Sequence, residues 1–259
     1  MSAGAPIEAA WKELETFSSS ADGLRLSEVR AIFAIGSLPG GYFRPGQSDL
    51  DVLVLFQGAP GTEADFNKFQ LAEKERLEAL AAQAGPYEIE LLFLHETRLQ
   101  RDPLTGRFPY ADFVQRLLSQ SKLLWGAFET GSLEAPGKED FACAFRRYLE
   151  YLRKKHGGEL QVFWSQGKLE ELLNHTLALM RAYLQVQRGV SEYDKTRLAQ
   201  RYRESQPAVP LPPALASALK ARFAGAPISS EIAAAARAEL PAFHAALAAQ
   251  ILRVNPESR

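Results

Sequence analysis

Apolar side chains recur at helical spacing through Ile7, Trp11, Leu14 and Phe17, which predicts an amphipathic helix at the start of the chain. Ser18-Ser19-Ser20 and Asp22-Gly23 read as its end. Residues 29–35 form a short apolar run between turn residues and predict a strand. Residues 50–56 predict its neighbour, and the unbroken run Val52-Leu53-Val54-Leu55-Phe56 suits a strand buried on both faces. Residues 58–62 read as a turn. Residues 65–84 carry Phe66, Phe69, Leu77 and Leu80 among charges and predict a helix that Gly85-Pro86 stops. Tyr87 to Leu94 predicts a third strand. Residues 96–110, with Pro103, Gly106 and Pro109, look irregular, and residues 111–124 predict a helix.

Strand signals end at residues 131–137. Beyond them Phe141, Phe145, Tyr148 and Leu152 form one helical stripe, and Leu169, Leu172, Leu173, Leu177, Met180 and Leu184 form a longer one. Residues 192–204 predict a further helix, and Pro207 to Pro213 a rigid break. Two alanine-rich helices follow, with Pro241 kinking or starting part of the last. The expected fold class is therefore α+β: a sheet-and-helix domain over 1–134, then a helical domain over 135–259.

Composition narrows the function classes. The chain has 259 residues, 46% hydrophobic and 24% charged, as in ordinary folded proteins. Thirty basic and 31 acidic residues leave a net charge of −1. A protein that grips long nucleic acid by its phosphates usually shows a basic excess, so a small substrate is favoured over nucleic acid. A lone Cys143 excludes an internal disulfide. The first residues lack the basic start and apolar stretch of a secretion signal, and no uninterrupted apolar segment approaches the ~20 residues that span a bilayer. Cytoplasmic residence without a membrane partner is the expectation. The histidines His95, His156, His175 and His244 lack metal-ligand spacing with a second His or Cys, which argues against zinc.

The chemistry is concentrated between the first two strands. The first apolar run ends in Gly36-Ser37, a glycine-rich loop follows, and Asp49 and Asp51 stand at the mouth of the second run. Positions two apart in a strand share a face, so the two carboxylates point the same way. Like charges that close resist ionising together unless a cation lies between them. Mg2+ is such a cation and takes carboxylate and phosphate oxygens. Gly36 lets backbone N–H groups approach phosphate without a Cβ in the way, and the Ser37 hydroxyl can donate to the same oxygens. For Arg44, in the intervening loop, reaching the phosphates and simple solvation stand as equal readings. Glu88 and Glu90 share a face of the third strand. One of them completes the metal site or serves as general base for an acceptor hydroxyl, or else stands in water at a strand edge.

Gly36-Ser37, eleven residues, then Asp49-Leu50-Asp51 resembles the signature of the nucleotidyltransferase superfamily that includes DNA polymerase beta. The third acidic strand, with the order strand, helix N-terminus, strand, helix, strand over residues 29–94, is similar to the same pattern. The resemblance implies a nucleotidyltransferase domain with a mixed β-sheet flanked by helices, a Gly-Ser pair that holds the triphosphate, and three carboxylates that bind two Mg2+. Asn174 to Tyr202 resembles the helical domain of the aminoglycoside adenylyltransferases, in which an arginine-bearing helix leads to a Gly, Ser and Lys turn. Those enzymes contact the nucleotide through the turn lysine, and Lys195 is the nearest match. Here Glu192, Tyr193 and Asp194 stand between Ser191 and Lys195, where the family often has Ser and Lys adjacent. Aligned on its apolar tail, the third strand matches the family's third carboxylate at Glu90, with Glu88 as the alternative.

The resemblance therefore implies catalytic and metal-binding roles for Asp49, Asp51 and Glu90, and nucleotide contacts from Gly36, Ser37 and Lys195. The implied activity is Mg2+-dependent transfer of a nucleoside monophosphate, AMP from ATP, to a hydroxyl of a small acceptor such as an aminoglycoside. Two alternatives keep the same pocket: a nucleotide-binding regulatory protein, and a transferase acting on a protein or an RNA end. Arg237 and His244 loosely match the ribonuclease motif of a helical family that partners small nucleotidyltransferases, but Ala238 and Pro241 break its pattern and the pair reads as chance.

Overall fold

The two unbroken apolar runs pair with each other. In the computed structural model, which describes residues 4–24, 26–57 and 63–253 and the side chains of all but 63–72 of these, β1 (Val29–Ile35) runs antiparallel to β2 (Leu50–Phe56). Strand β3 (Ile89–His95) joins β2 in parallel, and β4 (Ser121–Gly126) joins β1 antiparallel, giving a mixed sheet ordered β3-β2-β1-β4. The parallel β2–β3 pair needs a crossover, supplied by helix α2 (Glu63–Ala82). Ile32, Ala34, Val52 and Val54 meet Leu14, Phe17 and Leu77 in one core, while Phe33, Leu53 and Leu55 of the opposite face are also buried. The continuous apolar run of β2 thus has both faces out of water.

Two elements depart from the sequence expectation. Helix α1 spans Ala5–Asp22 and runs through the triple serine. The hydroxyls there do not compete for a turn: Ser19 Oγ donates to the Glu15 carbonyl at 2.8 Å within the helix, and Ser18 Oγ donates to the Leu124 carbonyl at 2.6 Å, fastening α1 to β4. Its buried stripe is Ala10, Glu13, Leu14, Phe17 and Ala21, whereas Ile7 is exposed. The helix expected over 111–124 is instead α3 (Ala111–Ser119) followed by β4. Ser119-Gln120-Ser121 ends the helix, and Leu123-Leu124-Trp125 is too short an apolar run to tell one period from the other. The turn expected at 58–62 lies outside the described residues, as do the side chains of Phe66 and Phe69.

The chain divides into two compact units, one of residues 1–102 with 112–135, the other of 103–111 with 136–259. The second unit is helical: α4 (Lys138–Lys155), α5 (Leu160–Gln166), α6 (Leu169–Tyr183), α7 (Lys195–Glu204), α8 (Pro213–Phe223) and α9 (Ser230–Leu252). Asp140, in the first turn of α4, recruits the 103–111 segment by accepting the Phe108 N–H at 3.1 Å and the Gly137 N–H at 2.8 Å. Pro241 lies inside α9, which continues through it. Trp164 sits buried on α5. No helix among the described residues is long and apolar enough to cross a membrane.

Two histidines are built into this helical core. His175 of α6 and His244 of α9 are 2% and 0% exposed, and their rings meet edge to face at 4.8 Å. Thr176 Oγ1 donates to the Leu172 carbonyl, so the 2.8 Å bond between Thr176 Oγ1 and His244 Nε2 requires the proton on the ring nitrogen. Tyr148 holds His175 through a 3.1 Å bond to Nδ1. Burial away from water pushes the Tyr148 hydroxyl up to about 12 and His175 down to about 3, and drives His244 well below the ordinary imidazole value. His244 is therefore a core residue and, with Arg237 engaged on the Gly167 carbonyl at 2.8 Å, forms no exposed ribonuclease pair.

Both imidazoles stay neutral in the fold, while the unfolded chain takes up protons below about pH 6.5. Their contribution is whole above that value and is lost as pH falls below it, for His175 towards about 3. At pH 5 the His175 ring is expected to cost about 2 kcal/mol relative to pH 7, with His244 acting in the same direction. Urea unfolding followed by Trp164 fluorescence, with Trp11 and Trp125 replaced by Phe, measures this; equal midpoints at pH 7 and pH 5 would refute it.

Candidate active site

Asp49 precedes β2 and Asp51 is its second residue, so both project to one face of the sheet. The parallel register pairs Asp51 with Glu90 on β3, which brings the third carboxylate alongside. One carboxylate oxygen from each of Asp49, Asp51 and Glu90 lies within 4.8 Å of the others. Asp49 and Glu90 are exposed and Asp51 half-buried, so the cluster opens to solvent. Glu88, also exposed, stands outside it; its carbonyl accepts the Leu50 N–H at 2.8 Å and fastens the start of the β2–β3 ladder. Among the described residues this is the one group of three or more acidic, histidine or cysteine side chains placed to hold a metal ion, and it contains no histidine. An all-oxygen donor set of this kind suits Mg2+ rather than zinc.

Gly36 serves this cluster through the side chain it lacks. It follows β1 with φ +82°, and a Cβ there would collide with Asp51 Oδ2. The left-handed backbone and the close approach both demand glycine. Its N–H donates to the Gln120 carbonyl at 3.2 Å, which leaves Ser37, half-buried at the head of the loop, to present a hydroxyl. The loop is closed on itself: Gly40 N–H donates to the Gly36 carbonyl at 3.0 Å and Tyr42 N–H to the Ser37 carbonyl at 3.0 Å. Tyr42 then donates its hydroxyl to Gln120 Oε1 at 2.8 Å. Gln120 therefore ties both ends of the loop, by its backbone at Gly36 and by its side chain at Tyr42. Sequence reasoning missed it because β4 was read as helix. Arg44 is half-buried; its backbone closes the turn to Ser48, donating to Ser48 Oγ at 3.1 Å and accepting the Ser48 N–H at 2.9 Å.

A cavity of about 560 Å3 opens beside Glu90, walled by Glu78, Tyr87, Glu88 and Glu90 among its lining residues. Glu78 from α2, Glu88 just before β3 and Glu90 within it make its lining net acidic. Lys195 belongs to the second unit, exposed as the first residue of α7. Asp194 caps that helix, accepting the Thr196 N–H at 2.9 Å, and α6 runs out through a π-helical turn at Leu184–Arg188 into left-handed Gly189. Glu192, read above as helical, lies before the cap, and pairs with Arg201 at 3.0 Å.

No protein-family model and no curated protein sequence matches the chain. Among solved structures it is similar to the spectinomycin adenyltransferase AAD(9) from Enterococcus faecialis with ATP and spectinomycin, at 16% identity and a TM-score of 0.57, over 91% of this chain and 99% of that one. A toxin-antitoxin structure with AMP-PNP matches over 55% of this chain and 92% of its own at 18% identity, but its TM-score of 0.26 carries no argument. The first likeness establishes the fold: the chain shares the α+β fold of that adenyltransferase, a mixed sheet with flanking helices joined to helices.

Gly36→Ala tests the close approach. Forcing a side chain into the left-handed region costs about 1–2 kcal/mol, and the added methyl must displace the Asp51 carboxylate. A lower Tm together with weaker Mn2+ binding by paramagnetic titration is expected. A variant with unchanged Tm would show that Gly36 is not under this constraint.

Proposed function

We propose that this protein is a Mg2+-dependent nucleotidyltransferase that moves AMP from ATP to a hydroxyl of a small acceptor. The convergence of Asp49, Asp51 and Glu90 oxygens within 4.8 Å carries the reading. The fold supports it, and the similar adenyltransferase structure contains ATP. Asp49 and Asp51 would hold the metal, with Glu90 completing the site or accepting the proton of the acceptor hydroxyl. Bound there, Mg2+ supplies charge neutralisation for the triphosphate and the leaving pyrophosphate.

The chain's own groups do the remainder. Ser37 donates to phosphate oxygens at the end of β1, and Asp51, kept in place against Gly36, fixes the carboxylate that faces them. The acceptor oxygen attacks the α-phosphorus, the bond to pyrophosphate breaks, and the hydroxyl proton passes to Glu90. Such in-line displacement depends on positioning and charge more than on covalent help. Lys195 would contribute a contact to the nucleotide. The acidic residues Glu78, Glu88 and Glu90 that line the cavity support an acceptor bearing amines. Aminoglycosides, and the spectinomycin found in the similar structure, are the first acceptors to assay. The reaction belongs in the cytoplasm, where ATP and Mg2+ are supplied.

Asp51→Asn is expected to lower pyrophosphate release with its best acceptor by on the order of 100-fold or more while leaving the Tm near wild type. Near-full turnover by that variant, or ATP binding without turnover across the acceptor panel, would sink the transferase.

A further inference from the structure

Glu13 is a carboxylate in an unusual place. It lies on the buried stripe of α1, 8% exposed, among Ala10, Leu14 and Phe17. The Tyr87 backbone N–H donates to its carboxylate. Oε1 has no water contact and no partner, so Oε2 carries that bond. Burial pushes the carboxyl above its usual range, and the Tyr87 N–H pulls partly back. A buried oxygen without a partner is costly, and a leucine would fill this space at lower cost if filling were all that was required.

The group it holds leads directly into the site. Gly85 packs so closely that a Cβ there would come within 3.2 Å of Glu13 Oε2. Tyr87 is held at its other end too: its hydroxyl donates to the Pro6 carbonyl at 3.1 Å, about two turns up the same helix from Glu13. Its ring meets Phe43 edge to face at 5.6 Å, next to Arg44 in the loop between Ser37 and Asp49. Glu88 then opens the ladder by accepting the Leu50 N–H, and Glu90 falls opposite Asp51. Helix α1 thereby grips Tyr87, two residues before β3 begins. Strand β3 is at the edge of the sheet and has a ladder partner on one side alone, so its start needs an anchor from outside the sheet.

We infer that Glu13 is a positioning residue for the third carboxylate: from α1 it clamps the Gly85–Tyr87 turn and sets where Glu90 stands against Asp51. The inference deepens the transferase reading above and rests on it for the link to metal. The test uses the full chain with Glu13→Leu and Glu13→Gln, whose amide oxygen can still accept the Tyr87 N–H. Amide hydrogen exchange should quicken about tenfold in a peptide over 86–92 of the leucine variant, with the 30–36 peptide of β1 unchanged and the glutamine variant close to wild type. Mg2+ titration by calorimetry should weaken about tenfold in Glu13→Leu and recover in Glu13→Gln. In a Glu90→Ala background the leucine change should cost nothing further.

Equal acceleration in both peptides, or additive losses of Mg2+ affinity in the double variant, would mean that Glu13 serves the fold at large and overturns the inference. Should the leucine variant not fold, Tyr87→Phe removes only the hydroxyl bond to Pro6 and should shift both readouts about twofold to threefold; no shift in either overturns it as well. Wild-type protein that binds no Mg2+ would remove the transferase reading, while the exchange measurement would still decide the clamp.

Discussion

The parallel register between β2 and β3 is the constraint on which the site depends. It sets Asp51 opposite Glu90, and with Asp49 two residues earlier it gathers three carboxylates on one face of the sheet. A slip of one residue would send Glu90 to the other face and bring Leu91 or Ile89 in its place. Nothing in the carboxylates themselves favours that register, since like charges ~4 Å apart repel by about 1 kcal/mol even in water. The apolar residues around them carry the cost. Leu53, Leu55 and Leu94 on the same face, and Val52 and Val54 on the opposite one, are buried only in this alignment. The sheet core thus forces together groups that would otherwise separate.

That division of labour explains what could be read from the sequence. The two central strands announce themselves as unbroken apolar runs, and the chemistry at their ends follows from spacing alone: Asp49 and Asp51 two apart, Gly36-Ser37 at the close of β1. The residues alone left Glu88 and Glu90 open, and only the family resemblance favoured Glu90, because choosing between them physically needs the register, which is a non-local fact. Strand β4 was invisible for the same reason. Its apolar core is three residues long, and only pairing with β1 makes it a strand. With β4 went Gln120, whose carbonyl and side chain both brace the Gly36–Tyr42 loop. The serines of α1 were read as a break because their hydroxyls can cap or turn a chain; in place they bond within the helix and across to β4 instead.

The helical unit follows a different rule. Its stripes were legible at Phe141 to Leu152 and at Leu169 to Leu184, because helical periodicity is local. Its polar core was not. His175 and His244 looked like scattered histidines, and no spacing shows that α6 and α9 bring their rings together. Removing zinc and ribonuclease readings left them without a role on the page of sequence. Their placement shows one: neutral rings that fill the seam among α4, α5, α6 and α9, held by Tyr148 and Thr176. Polar groups of this kind stabilise only one arrangement of helices when satisfied, and they make that arrangement sensitive to acid.

The charge balance joins these observations. The whole chain is nearly neutral, yet Asp49, Asp51, Glu78, Glu88 and Glu90 stand around one end of β2 and β3. A neutral total with a local acidic face is poorly suited to long nucleic acid, whose phosphates that face would repel. Under the proposed function, a divalent cation and an acceptor with amines would each relieve the repulsion the register imposes. On this reading the ligands do not bind to a finished site and leave it unchanged. As proposed, they would supply the positive charge that the folded sheet lacks, so their binding should stiffen the β2–β3 ladder where the carboxylates meet.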